Sequence, residues 1–79
     1  MINISLKQLH AFIAVAHHGS FTEAATHLFL TQSAVSGLIK ELETTLAMRL
    51  FDRTTRQLQL TLVGEQLLPI AKRTLNEIF

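Results

Sequence analysis

The sequence contains no cysteine. That excludes a disulfide framework and any thiolate metal site, and it suits a reducing cytoplasm. No apolar run approaches the roughly 20 residues that span a bilayer. The N-terminus, MINISLKQLH, lacks the basic start and long apolar stretch of a signal peptide. Low-complexity tracts, internal repeats and interdomain linkers are also missing. So is a basic excess: the net charge is only +1, which argues neither for nor against a nucleic-acid partner. The cations are unevenly spread, however. None stands from residue 8 to 39, and four of the seven Lys and Arg lie between Lys40 and Arg56. A local basic patch can bind phosphate even when the total is near neutral.

What remains is one small domain. Seventy-nine residues with a hydrophobic fraction of 48% can build a single core, near the lower limit for a core alone. Leu6, Leu9, Phe12, Ile13 and Ala16 recur at helical spacing and predict a first helix over about 5–17. Gly19 is a natural left-handed end for it. Ser20 with Glu23 three residues on reads as a capping box, opening a short second helix over about 21–28. Phe21, Ala24, Ala25 and Leu28 face inward, and the paired alanines let another helix approach closely.

Thr31 caps a third helix, 31–46. Val35, Leu38, Ile39, Leu42 and Leu46 form a strong amphipathic stripe. The opposite side holds Ser33, Gly37, Lys40 and Thr44, with Gln32 and Ser36 beside them. An ordinary solvated helix carries Glu, Lys and Arg there. A helix that enters a DNA major groove N-terminus first needs small residues for close approach, and its free first-turn amides suit phosphate. Gln32 can pair bidentately with adenine. Ser33 and Ser36 can donate to phosphate or base edges, and Lys40, one turn further, can reach a flanking phosphate.

After Arg49 the period changes. Leu58 and Leu60 alternate with Gln57 and Gln59, and DRTTR is a polar turn, so strands near 50–52 and 58–60 form a short hairpin. Arg53 and Arg56 bracket its turn as a wing for backbone or minor groove, although Arg49 and Arg53 both flank Asp52 and either could be held in a structural pair. Thr61 caps a last helix whose apolar positions cover more than one face, which calls for two partners. Val63, Leu67, Ile70, Ala71, Leu75 and Ile78 are its candidate dimerisation residues. Pro69 removes one helical hydrogen bond and should bend it. The helical pattern is still running at Phe79, which predicts a domain cut from a longer protein.

These elements make a mostly α, winged helix-turn-helix fold: a domain over 1–60, with its helix-turn-helix at about 21–40, and the start of a linker helix over 61–79. The motifs GSFTEAA, TQSAVS, IKELE, LFDRT and T-x-x-G-E-x-L, in this order and spacing, resemble the N-terminal DNA-binding domain of LysR-type transcriptional regulators. The resemblance covers essentially the whole chain. It implies sequence-specific binding of double-stranded DNA, at interrupted palindromic operators, in the regulation of bacterial transcription. It implies a homodimer through the linker helix, tetramers at full length, and a C-terminal domain that binds a small-molecule effector. Neither cofactor nor membrane is expected for this domain, and a cytoplasmic location follows. Thr31, Gln32, Ser33, Ser36, Gly37, Lys40, Arg53 and Arg56 are the expected DNA-binding set. The chain departs from the family pattern at Ser33, often proline; at Gly37, very often an arginine that touches base or phosphate; and at Leu38, often glutamine.

Other classes find less support. His10 and His17 sit seven apart and could share a face; His17 and His18 are adjacent and should point apart; His27 is on the second helix. No acidic ligand joins them and no zinc spacing matches, so no metal is expected. Nothing places a nucleophile beside a base and an orienting acid, so no enzyme is expected. A protein–protein dimerisation module with weak or lost DNA binding is the alternative, favoured by the low charge and by Gly37.

Overall fold

A computed structural model describes residues 3–54 and 57–78. Four helices and a two-stranded antiparallel hairpin follow in the order α1 Leu6–His18, α2 Phe21–Leu28, α3 Gln32–Leu46, β1 Phe51–Asp52, β2 Gln59–Leu60 and α4 Leu62–Ile78.

Local chemistry sets the helix ends. Ser5 caps α1, its Oγ accepting from the Gln8 amide at 3.2 Å while the Ser5 amide donates to Gln8 Oε1 at 3.2 Å. Gly19 closes α1 in the left-handed conformation at φ 66°, with its amide on the Val15 carbonyl. Ser20 Oγ accepts from the Glu23 amide at 3.1 Å. Only that half of the expected box forms there; the reciprocal pair stands at Ser5–Gln8 instead. Thr31 Oγ1 caps α3 by accepting from the Ala34 amide at 3.1 Å. Thr61 is held from both directions. Its hydroxyl donates to the Arg49 carbonyl at 2.7 Å and accepts from the Gly64 amide at 3.1 Å, tying α4 to the start of the hairpin.

Two helices end without glycine. Phe29 (φ 59°) and Ala47 (φ 55°) take the left-handed conformation at the C-termini of α2 and α3. This costs about 1–2 kcal/mol for a residue with a Cβ, and it is offset by satisfied carbonyls: Leu30 N donates to Ala25 O at 2.9 Å, and Met48 N to Glu43 O at 3.1 Å.

The core lies where α1, α2 and α3 meet. Phe12, Val15, Val35, Ile39, Leu42 and Leu50 are fully buried, and Ala24 and Ala25 let α2 come close. Phe51 seals the hairpin end, its ring edge-on to Phe12 and Phe21 with centroids 5.6 and 6.0 Å apart. The strands are shorter than the alternation predicts, pairing only Phe51 with Leu60 and Asp52 with Gln59. The Leu50 amide goes to the Glu43 carboxylate instead of extending the ladder.

Helix α4 runs through Pro69 as one element and packs on α1. Ala71 and Leu75, expected at a dimer interface, are buried at 1% and 7% exposure within the chain itself. The apolar positions of α4 cover more than one face, and only the placement of α1 decides which of them is inward. Gly64 permits the close approach of α4: a Cβ there would overlap the Leu50 carbonyl oxygen and stand 2.8 Å from Leu60 Cδ2.

Candidate nucleic-acid interface

Helix α3 is pinned by its buried stripe, so its other face must point outward. Gln32, Ser33, Ser36, Gly37 and Lys40 line one shallow concavity of about 490 Å³ on that face. Thr31, Gln32, Ser33 and Lys40 are exposed, and Ser36 and Gly37 are half-buried. The structure therefore brings together six of the eight expected residues, counting Thr31 at the cap. The amides of Gln32 and Ser33 find no acceptor among the described residues, as the first turn of a helix dictates. Unpaired amides and the positive end of the helix dipole favour an anion at this end. Lys40 forms no ion pair with Glu41 or Glu43 among the described residues and extends freely one turn further along.

Gly37 has no internal reason to be glycine. A Cβ built on it meets nothing within 4 Å, and its helical backbone suits any residue. Its missing side chain opens the concavity and also borders a second, more apolar groove of about 590 Å³ beside Leu28, Leu30, Ala34 and Leu38. On the turn between α2 and α3, Phe29 is 94% exposed.

The wing differs from expectation in its wiring. Arg53 pairs with Glu43, not Asp52: its Nη2 lies 3.5 Å from Glu43 Oε1. The guanidinium carbon stands 4.9 Å from the centre of the Phe21 ring. Asp52 instead accepts from the Thr54 hydroxyl at 2.6 Å and the Thr54 amide at 3.0 Å. Those two bonds, with a smaller contribution from the Arg49 charge, hold its carboxyl below the usual 3.8. Arg56 lies outside the described residues, as does the side chain of Ile78.

Glu43 is the residue that sequence reasoning missed. A glutamate in the middle of a helix is ordinarily solvated, yet Glu43 is 8% exposed. Its Oε2 accepts from the Leu50 amide at 2.8 Å and the Phe51 amide at 3.4 Å. Only its place within KELE hinted at this, because its partners are backbone groups beyond the helix end.

The histidines also depart from expectation. His17 and His18 do not point apart. Their rings meet edge to face at 4.9 Å, and His18 and His27 lie 5.1 Å apart in a crevice between the ends of α1 and α2. Adjacent positions on a helix diverge by about 100°, but both rings swing toward that crevice. Among the described residues no group of three or more His, Asp or Glu is arranged to hold a metal.

An outward helix with a bare polar first turn, set on a short helix and followed by a hairpin, defines a winged helix-turn-helix domain. The model of the bacterial regulatory helix-turn-helix proteins of the lysR family matches residues 6–65, and the chain belongs to that family. It is 48% identical over 75 residues to the HTH-type transcriptional regulator CfxR of Cupriavidus necator, covering 95% of this chain and 24% of CfxR. The oxidized form of Corynebacterium glutamicum OxyR superposes with a TM-score of 0.91 at 39% identity, covering 96% of this chain and 25% of that one. The BenM_DBD/benA site 1 DNA complex superposes at 0.90 and 32% identity, covering 94% of this chain and 83% of that one. The chain thus spans about a quarter of the length of CfxR and OxyR. No helix among the described residues is long and apolar enough to cross a membrane.

Proposed function

We propose that this chain binds double-stranded DNA sequence-specifically and thereby regulates bacterial transcription from the cytoplasm, without catalysis or a cofactor of its own. The observation that carries this reading is the exposed α3 face. Gln32, Ser33, Ser36, Gly37 and Lys40 share one concavity and serve no packing purpose visible in the chain. Its likeness to a domain crystallised on DNA supports the same use. Helix α3 reads the major groove, with Gln32 as the base reader and Thr31, Ser33, Ser36 and Lys40 at base edges and phosphates. The wing, through Arg53 and Arg56, lies on backbone or minor groove.

A second copy joins through α4. Ala71 and Leu75 are used up inside the chain, while Leu62 (70%) and Ile70 (54%) remain exposed, with Val63 and Leu67 half-buried alongside. The operator is an interrupted palindrome, and the full-length protein is a tetramer whose effector site lies outside this domain.

Salt titration of binding to the duplex upstream of its own gene tests the reading. The logarithm of the association constant should fall linearly with the logarithm of salt concentration. Gln32→Ala should weaken binding by about 1–3 kcal/mol at one operator position and relax preference there. A chain that binds no duplex at low salt is a dimerisation module that has lost its DNA.

A further inference from the structure

Glu43 ties α3 to the hairpin at two places. It projects from α3, holds the first residues of the hairpin through two backbone amides, and faces the guanidinium of Arg53. A carboxylate this buried is costly unless fully partnered. Here one oxygen takes Leu50 and Phe51, and the other takes Arg53. Arg53 is held from a second direction by the Phe21 ring, and its side chain stays 38% exposed. An arginine clamped between a carboxylate and an aromatic face, with part of its fork still in solvent, is already ordered before any partner arrives.

We propose that Glu43 is the positioning residue of the wing: it fixes β1 against α3 and aims Arg53 at DNA. This rests on the DNA-binding reading above. Glu43 itself is buried and touches no nucleic acid.

Charge counting and positioning give opposite signs for one substitution. Glu43→Gln removes a negative charge from a phosphate-binding surface, so charge alone predicts tighter binding. Its carbonyl can still accept from Leu50, which preserves the hairpin start. Its amide nitrogen then meets Arg53 as donor against donor, which releases the arginine. Positioning therefore predicts weaker binding, by about tenfold, the scale of a lost charge-assisted hydrogen bond.

The test measures binding of the 79-residue chain to the duplex upstream of its own gene by fluorescence anisotropy, below the melting transition of every variant. Glu43→Gln should weaken binding. In an Arg53→Met background the same change should weaken it little further, because the residue it acts through is gone. Equal or tighter binding by Glu43→Gln overturns the proposal, and so does equal weakening in both backgrounds. Should Glu43→Gln fail to fold, Glu43→Asp keeps the charge but withdraws the carboxylate from Arg53. Unchanged affinity in that variant is equally fatal. An unaltered chain that binds no duplex sinks the DNA-binding reading itself, a result distinct from any of these.

Discussion

The backbone of Gly64 lies against the carbonyl of Leu50, closer than any side chain allows. The first turn of α4 thereby seats directly on the start of the hairpin, where the Leu50 carbonyl also accepts from the Thr61 amide at 3.0 Å. Gly64→Ala forces the two apart. It should lower stability by about 1–3 kcal/mol, the usual cost of overpacking. Urea denaturation followed by circular dichroism measures this, and an unchanged midpoint means that α4 can slide away freely.

Gly37 is the opposite case. It sits in mid-helix with open space where its Cβ would be. Gly37→Ala should raise stability by about 1 kcal/mol, visible as a higher denaturation midpoint. Gly37→Arg should fold equally well and add a phosphate contact, steepening the salt dependence of DNA binding by about one. If the slope does not move, the side chain at this position does not reach the DNA backbone.

Helix α4 should separate folding from association. Ile70 is 54% exposed and its neighbour Ala71 is 1% exposed. Ile70→Glu should reduce self-association in sedimentation while leaving the thermal transition of the monomer in place. Ala71→Glu should abolish the transition, because it buries a charge without a partner. Should Ile70→Glu sediment like the unaltered chain, the dimer uses another surface.

Asp52 supplies a pH signature. Its folded-state carboxyl titrates below the ordinary value of 3.8, chiefly through the Thr54 hydroxyl and amide. The stabilisation of the turn is therefore complete above the ordinary carboxylate range and is lost as pH falls through the depressed folded value. The Thr54 amide resonance should titrate with a midpoint below 3.8, and Asp52→Asn should remove that titration. A midpoint at or above 3.8 contradicts the observed pair of bonds.

Elements defined by local pattern were legible in the sequence. The stripe Val35, Ile39 and Leu42 and the caps Ser20, Thr31 and Thr61 need only neighbours within a turn or two, and they stand where periodicity put them. Ser5–Gln8 fits the same capping pattern and could have been found. Features set by distant partners were not legible. Glu43 finds its acceptor role through amides seven and eight residues away, across a turn whose path the sequence does not state. Ala71 and Leu75 are apolar on a helix with two apolar sides, and only the placement of α1 assigns them inward. Left-handed Phe29 and Ala47 run against propensity, because closing each helix on its last carbonyls outweighs the local cost.

Along α3 the residues fall into two alphabets. Val35, Ile39 and Leu42, at 0% exposure, spell the fold. Gln32, Ser33 and Lys40 are exposed, so folding places almost no demand on them. This outer row is thermodynamically silent. Its letters can be exchanged for others without retuning the scaffold beneath, which makes the helix a replaceable type-slug: if this row reads DNA as proposed, a new operator preference takes a few exposed substitutions and leaves the folded domain as it was.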